Sequence, residues 1–190
     1  MAGRSLNGAR ALITGASSGI GRELAVALAR RRTRLILLAR RTELLEDICR
    51  QCAQLGGQAR AVAGDVTETA IRGKALNAAH ESFGGLDLLI NNAGVSAHGA
   101  FADSEESVLR KVMEVNFFAA VELTRRSPDA LCIALHPGTV ATALSAPFAT
   151  SGLEVHSPAA AARHLLAVVD QLTADANGGF FDWRGQPVPW

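Results

Sequence analysis

The octapeptide Thr14-Gly15-Ala16-Ser17-Ser18-Gly19-Ile20-Gly21 puts three glycines between an apolar run and a helical pattern. Nothing else in the chain restricts the fold as much. Glycine lets a backbone approach a ligand closely, and the N-terminus of the following helix offers free N–H donors to an anion. A glycine-spaced loop alone also serves plain turns, so its weight comes from the strand before it and the helix after it. That context predicts a phosphate-cradling loop at a β–α junction, with Thr14, Gly15, Ser17, Ser18, Gly19, Ile20 and Gly21 as its contacts.

The remainder of the chain repeats the same alternation. Short apolar runs at 9–14, 34–39, 59–63, 86–91, 131–135 and 179–182 read as strands. Helical periodicity fills 19–31, 42–55, 67–83, 104–125 and 158–172 between them. Strands alternating with helices are the signature of βαβ units and a parallel sheet. The expected fold class is therefore α/β: a Rossmann-like, doubly wound parallel sheet of about six strands in three layers. Residues 1–190 form one domain in this reading, with 131–135 pairing beside the fourth strand through a right-handed crossover.

Apolar residues make up 48% and charged residues 19%, enough to bury a core and too little charge for disorder. A net charge of +1 gives no overall attraction to nucleic acid or an anionic membrane. The first ten residues lack a leader-like apolar run, and no stretch approaches the ~20 apolar residues that span a bilayer. Cys49 and Cys52 form a C-x-x-C inside a helical pattern, far from any second ligand pair, and read with Cys132 as ordinary cytosolic thiols. The histidines show no metal-ligand spacing, so no metal is expected. The expected location is cytoplasmic. Arg30, Arg31 and Arg32 close the first helix, where cations complement its dipole.

Three further motifs follow in order. Asp65-Val66 comes after the third strand. Asn91-Asn92-Ala93-Gly94 ends the fourth, with Asn116 in the next helix, and Pro137-Gly138-Thr139-Val140-Ala141-Thr142 follows the fifth. Together with the T-G-x-x-x-G-x-G loop, they resemble the short-chain dehydrogenase/reductase family. The resemblance implies an oxidoreductase that passes hydride between a nicotinamide dinucleotide and a small carbonyl or alcohol. It implies adenine contacts at Asp65 and Val66, and cofactor contacts at Asn92, Ala93 and Gly94. Pro137, Gly138 and Thr142 would border the nicotinamide, and Asn116 would be the active-site asparagine. A homo-oligomer is also usual for the family.

The second strand bears on which dinucleotide is bound. An acid at its end favours the ribose 2′-OH of NAD, whereas an arginine accommodates the 2′-phosphate of NADP. Here the strand ends Leu37-Leu38-Ala39-Arg40-Arg41, with no acid before Glu43. NADP(H) is the expected cofactor over NAD, with Arg40 as a bidentate phosphate contact assisted by Arg41 or Arg22.

The chain departs from the family where its chemistry is concentrated. Family members use a serine and a Tyr-x-x-x-Lys pair, but this chain contains no tyrosine, and its only lysines, Lys74 and Lys111, lie too early. Between Asn116 and Pro137 there is room only for the rest of one helix and a strand, less than the ~30 residues of a βαβ unit. The break falls near Arg125-Arg126-Ser127-Pro128, and fits a deletion, a spliced form or an incomplete gene model. The end, Phe180-Phe181-Asp182-Trp183 onward, is similar to the C-factor-like branch. A lost helix would expose apolar surface. Ser96, His98 and His136 lie where substitutes would be needed, but read better as loop and strand-end residues. Three readings follow: an oxidoreductase with weakened or lost turnover, a non-catalytic dinucleotide-binding regulator or scaffold, and a truncated product without settled function. The loop 143–156, with Ala146, Pro147 and Phe148, weakly favours an apolar substrate.

Overall fold

Alternating side-chain direction assigns the residues of the central strands to opposite layers. In the computed structural model, which describes residues 6–97, 99, 101–126, 131–148 and 154–189, β1 is Arg10–Thr14 and β2 is Arg34–Ala39. Ile13, Leu35 and Leu37 face one layer with Leu24, Leu28, Leu45 and Leu166. Leu12, Ile36 and Leu38 face the other with Leu76, Ala79 and Leu123. A strand buried on both faces must be apolar at every position, and Leu35-Ile36-Leu37-Leu38 is fully buried.

The first layer holds α1 (Gly19–Ala29), α2 (Thr42–Gln54) and α6 (Pro158–Gln171). Ser157 caps α6 by accepting from Ala160 N–H, with Pro158 in the first turn. The second layer holds α3 (Thr69–Phe83) and α5 (Ala119–Arg125), and α4 (Glu106–Met113), which has no buried residue, precedes α5. With β3 (Gln58–Ala63) and β4 (Leu88–Ile90), the parallel sheet runs β3-β2-β1-β4. The α/β architecture is the expected one. No helix among the described residues is long and apolar enough to cross a membrane.

Two expectations are corrected. The run 131–135 does not pair beside β4 among the described residues. Its strand, β5 (Ala134–His136), pairs in parallel with the last strand, here separate from the main sheet of four. Cys132 is already committed elsewhere: its N–H donates to Asn177 Oδ1 at 2.9 Å, and its carbonyl accepts from Gly178 at 2.8 Å. A further short pair joins β6 (Thr139–Val140) to β7 (Val155–His156), and the chain's last strand, β8, is Phe180–Asp182. The helix expected over 104–125 is also divided. A π-helical turn, Glu114–Phe118, separates α4 from α5. Met113, Phe117, Phe118 and Val121 around this turn are each more than two-fifths exposed.

A charged staple fixes the start of the sheet. Arg10 donates through Nε and Nη2 to the two carboxylate oxygens of Asp87 at 2.8 and 2.6 Å, and through Nη1 to Gly84 O at 2.8 Å. Asp87 also accepts from Arg10 N–H. Hydrogen bonds from Arg10, opposed by partial burial, hold the Asp87 carboxyl at about 2. A depressed carboxyl contributes stability that is present above its unfolded value and disappears as pH falls through the folded one. Asp87→Asn is expected to lower stability at neutral pH and to flatten its acid dependence between roughly pH 4 and 2. Urea midpoints across that range check this; parallel curves for the two proteins would refute it.

Candidate functional site

Thr14 joins the ends of β1 and β4. Its hydroxyl accepts from the N–H groups of Asn92 and Ala93, both at 3.0 Å, and Asn92 Nδ2 donates back to the carbonyls of Thr14 and Gly15 at 3.0 and 3.3 Å. The glycines are required by this contact. A Cβ on Gly15, whose φ is +66°, would stand 2.8 Å from Ala93 Cα. One on Gly21 would stand 2.4 Å from Asn92 Nδ2 and 2.6 Å from the Gly15 carbonyl. The Asn92-Ala93-Gly94 turn therefore seats directly on the glycine loop. Ser18 precedes α1 without a side-chain capping bond, which leaves its hydroxyl to another partner.

That partner is Arg41. Its Nη2 donates to Ser17 Oγ at 2.9 Å and to Ser18 Oγ at 2.7 Å, so an arginine already lies across the loop. Arg40 points instead towards Asp65, 4.0 Å away, and is largely exposed. Arg22 is turned from the loop, donating to Glu23 at 2.6 Å and Gln51 at 3.0 Å. Asp65 accepts from the N–H and hydroxyl of Thr67 at 3.0 and 2.9 Å. Burial pushes its carboxyl up, but these bonds, with the charges of Arg40 and Lys111, hold it below the usual range.

The loop after β3 rests on a residue that the sequence gives no reason to single out. Arg72 sits in α3 and is only 5% exposed. Its Nη1 donates to the carbonyls of Val66 and Thr67 at 2.8 and 2.7 Å, and its Nη2 to Thr69 Oγ1 at 3.0 Å. A charge at a helix start ordinarily reads as solvated, and no spacing marks this one as buried.

Asn116 lies in the π-helical turn. Its Oδ1 accepts from Val95 N–H and its Nδ2 donates to Val95 O, both at 2.9 Å, which ties the helix to the chain just past Gly94. From the other side, Thr142 leans on the loop, its Cγ2 lying 3.4 Å from where a Cβ on Gly19 would be. Gly138, at φ +76°, is wedged under Trp183 and His156, whose rings would lie 3.0 and 3.1 Å from its Cβ. Its N–H donates to His136 Nδ1 at 3.1 Å, so His136 is bonded to backbone.

The structure thus gathers Thr14 to Gly21, Asn92 to Gly94, Asn116 and Thr142 around one loop, with Arg40, Arg41, Asp65 and Val66 along one edge. His98, Ser127, Pro128 and part of the 143–156 loop lie outside the described residues. Cys52 is buried, with burial first and then Cys49 raising its thiol to about 11, as suits an unreactive side chain.

Replacing Arg72 by Met would leave two loop carbonyls without their donor. The expected loss is about 1–3 kcal/mol, with faster hydrogen exchange over residues 64–68. Urea denaturation and exchange mass spectrometry read the two effects. An unchanged loop would show that Arg72 only fills space.

The family model described as short chain dehydrogenase matches residues 9–146. Dehydrogenase/reductase SDR family member 7 of Homo sapiens is 38% identical over 117 residues, covering 60% of this chain and 34% of that protein. Hydroxysteroid 11-beta-dehydrogenase 1-like protein of Bos taurus is 32% identical over 163 residues, 80% of this chain and 56% of that protein. The chain spans only about a third to somewhat over half of these two relatives' length. Among solved structures, NADPH-bound carbonyl reductase from chicken fatty liver superposes with a TM-score of 0.83 at 19% identity, covering 95% of this chain and 98% of that one. L-Sorbose reductase from Gluconobacter frateurii, complexed with NADPH and L-sorbose, gives 0.82 at 19% identity, with 95% and 96% covered. These two likenesses speak for the fold, and the family model for the lineage: the chain belongs to the short-chain dehydrogenase family.

Proposed function

We propose that this chain binds a nicotinamide dinucleotide across the glycine loop, NADP(H) in preference to NAD(H), as one oxidoreductase-type domain with a weakened catalytic apparatus. The observation that carries the reading is Arg41 lying over Ser17 and Ser18, with Arg40 beside it and no acid at the end of β2. Two guanidinium groups and two hydroxyls make a donor set suited to a phosphate and poorly suited to a bare 2′-hydroxyl. The turn fits a pyrophosphate because Gly15 and Gly19, both at positive φ, lead the backbone into the N-terminus of α1, where free N–H groups suit an anion.

In this reading Thr14 and Asn92 hold the loop rigid, and the first turn of α1 directs its N–H groups at the phosphates. Arg41 and Arg40 bind the 2′-phosphate, Asp65 and Val66 border the adenine, and Ala93 and Gly94 lie along the ribose chain. Pro137, Gly138 and Thr142 close over the nicotinamide end, with Asn116 holding the segment at Val95 that flanks it. The bound dinucleotide supplies hydride chemistry towards a small carbonyl or alcohol. The protein must supply the proton, and the chain has no tyrosine to do so. A positioned acid–base group contributes roughly 10²–10⁴-fold, so turnover is expected to fall by about that factor. The solved relatives bound to NADPH support the cofactor class, and one solved with NAD leaves the other dinucleotide as the comparison to beat. The intact loop beside the missing tyrosine also favours a second reading, a dinucleotide-binding regulator or scaffold without turnover. The exposed face at Met113, Phe117 and Val121 supports self-association in either case.

Titration with NADPH and NADH, followed by tryptophan fluorescence and calorimetry, tests the binding step. NADPH is expected to bind saturably and at least tenfold more tightly. Arg40→Asp should remove most of that difference by setting a like charge against the 2′-phosphate, while NADH affinity changes little. Equal losses for both would remove Arg40 from the phosphate site. Turnover with NADPH and a panel of small aldehydes and ketones then separates the two readings: slow reduction above background marks the oxidoreductase, and binding without turnover the regulator.

A further inference from the structure

β4 and β5 each carry a ladder on one side only among the described residues, β4 with β1 and β5 with β8. Between them lies a cavity of about 760 Å³. It is lined by residues 88–92, by Leu131, Cys132, Ile133 and Leu135, and by Leu165, Leu166 and Val169 of α6. Thr124 of α5 also lines it. We propose that this slot receives one extended strand of another polypeptide, parallel to β4 and β5, which joins the two separate sheets into one.

The backbone chemistry of the walls selects a polypeptide over an apolar small molecule. A strand edge repeats N–H and C=O groups about every 3.3 Å per residue, and here two such edges border the same space. An apolar molecule filling it would bury those groups without partners, at about 1–3 kcal/mol each. A single strand pairs with both walls, because its successive residues direct their N–H and C=O groups to alternate sides. The direction follows from the chain path. The helical segment α4 to α5 carries the chain from the end of β4 back to the start of β5, the connection that joins strands pointing the same way. The side chains follow from the two faces. Leucines and a valine of α6 call for branched apolar residues at alternate positions, and Thr124 for small or hydroxylated ones between them. With three residues in each flanking strand, the matching segment is short. This is sheet-edge recognition with two edges instead of one.

The test uses the full chain and a fluorescein-labelled, end-blocked peptide, Lys-Val-Thr-Val-Thr-Val-Lys, read by anisotropy. A second peptide carries N-methyl groups on the two threonines, which removes the donors to one wall and keeps the side chains. Saturable binding, weakened at least tenfold by methylation, is expected. Hydrogen exchange should slow over both 88–92 and 131–136. Equal binding of the methylated peptide, or protection of one wall only, overturns the strand assignment. So does failure of the folded protein to bind the peptide. Decanoate displacing the peptide without protecting backbone amides would reassign the cavity to apolar small molecules. Protection of both walls that rises with protein concentration, without peptide, would assign it to a second copy.

Discussion

The hydroxyl of Thr14 is the contact on which the site depends. It accepts two backbone N–H groups from the turn after β4, and the Asn92 carboxamide returns two bonds to the carbonyls on either side of the β1 terminus. Thr14 is 2% exposed, so these bonds are formed away from competing water. With β1 and β4 held at that spacing, the backbone of one turn lies against the backbone of the other, and only glycine fits at positions 15 and 21. The loop is glycine-rich at these positions because two turns must touch.

Around that seam the charges are arranged in two styles. Arg41 is held by neutral hydroxyls, and Arg40 stands at the limit of an ion pair with Asp65, itself occupied by Thr67. Exposed pairs of this length contribute little to stability. The basic edge beside the loop is therefore available at small cost. Arg72 is the opposite case: a cation buried under the Asp65 loop and spent on carbonyls. One arginine organises backbone, while two others face outward.

The sequence made the layers readable because their cause is local. Apolar runs of strand length and the periodicity of α1, α2, α3 and α6 depend on neighbours within a few positions, and their bounds fall within a few residues of expectation. The glycine loop and the Asn92 turn were legible for the same reason. What was not legible depends on distant partners. Whether 131–135 lies beside β4 or leaves a space depends on where β8 and Asn177, more than forty residues later, hold the opposite edge of β5. The burial of Arg72 depends on where the loop after β3 folds back. The choice of Arg41 over Arg40 as the arginine across the loop turns on rotamers that no pattern encodes. The π-helical turn also leaves no mark, since Glu114–Phe118 reads as ordinary helix.

That turn constrains how the helix can change over evolutionary time. A π turn holds one residue more than the α-helical turn it replaces. Removing one residue from it would restore regular winding and leave α4 and α5 close to their present phase, because the turn absorbs the extra residue. A change of register there acts first on Asn116, whose paired bonds to Val95 start from this turn. The extra residue thus serves the Asn116–Val95 contact, and losing it would undo that contact without re-aiming the helices on either side.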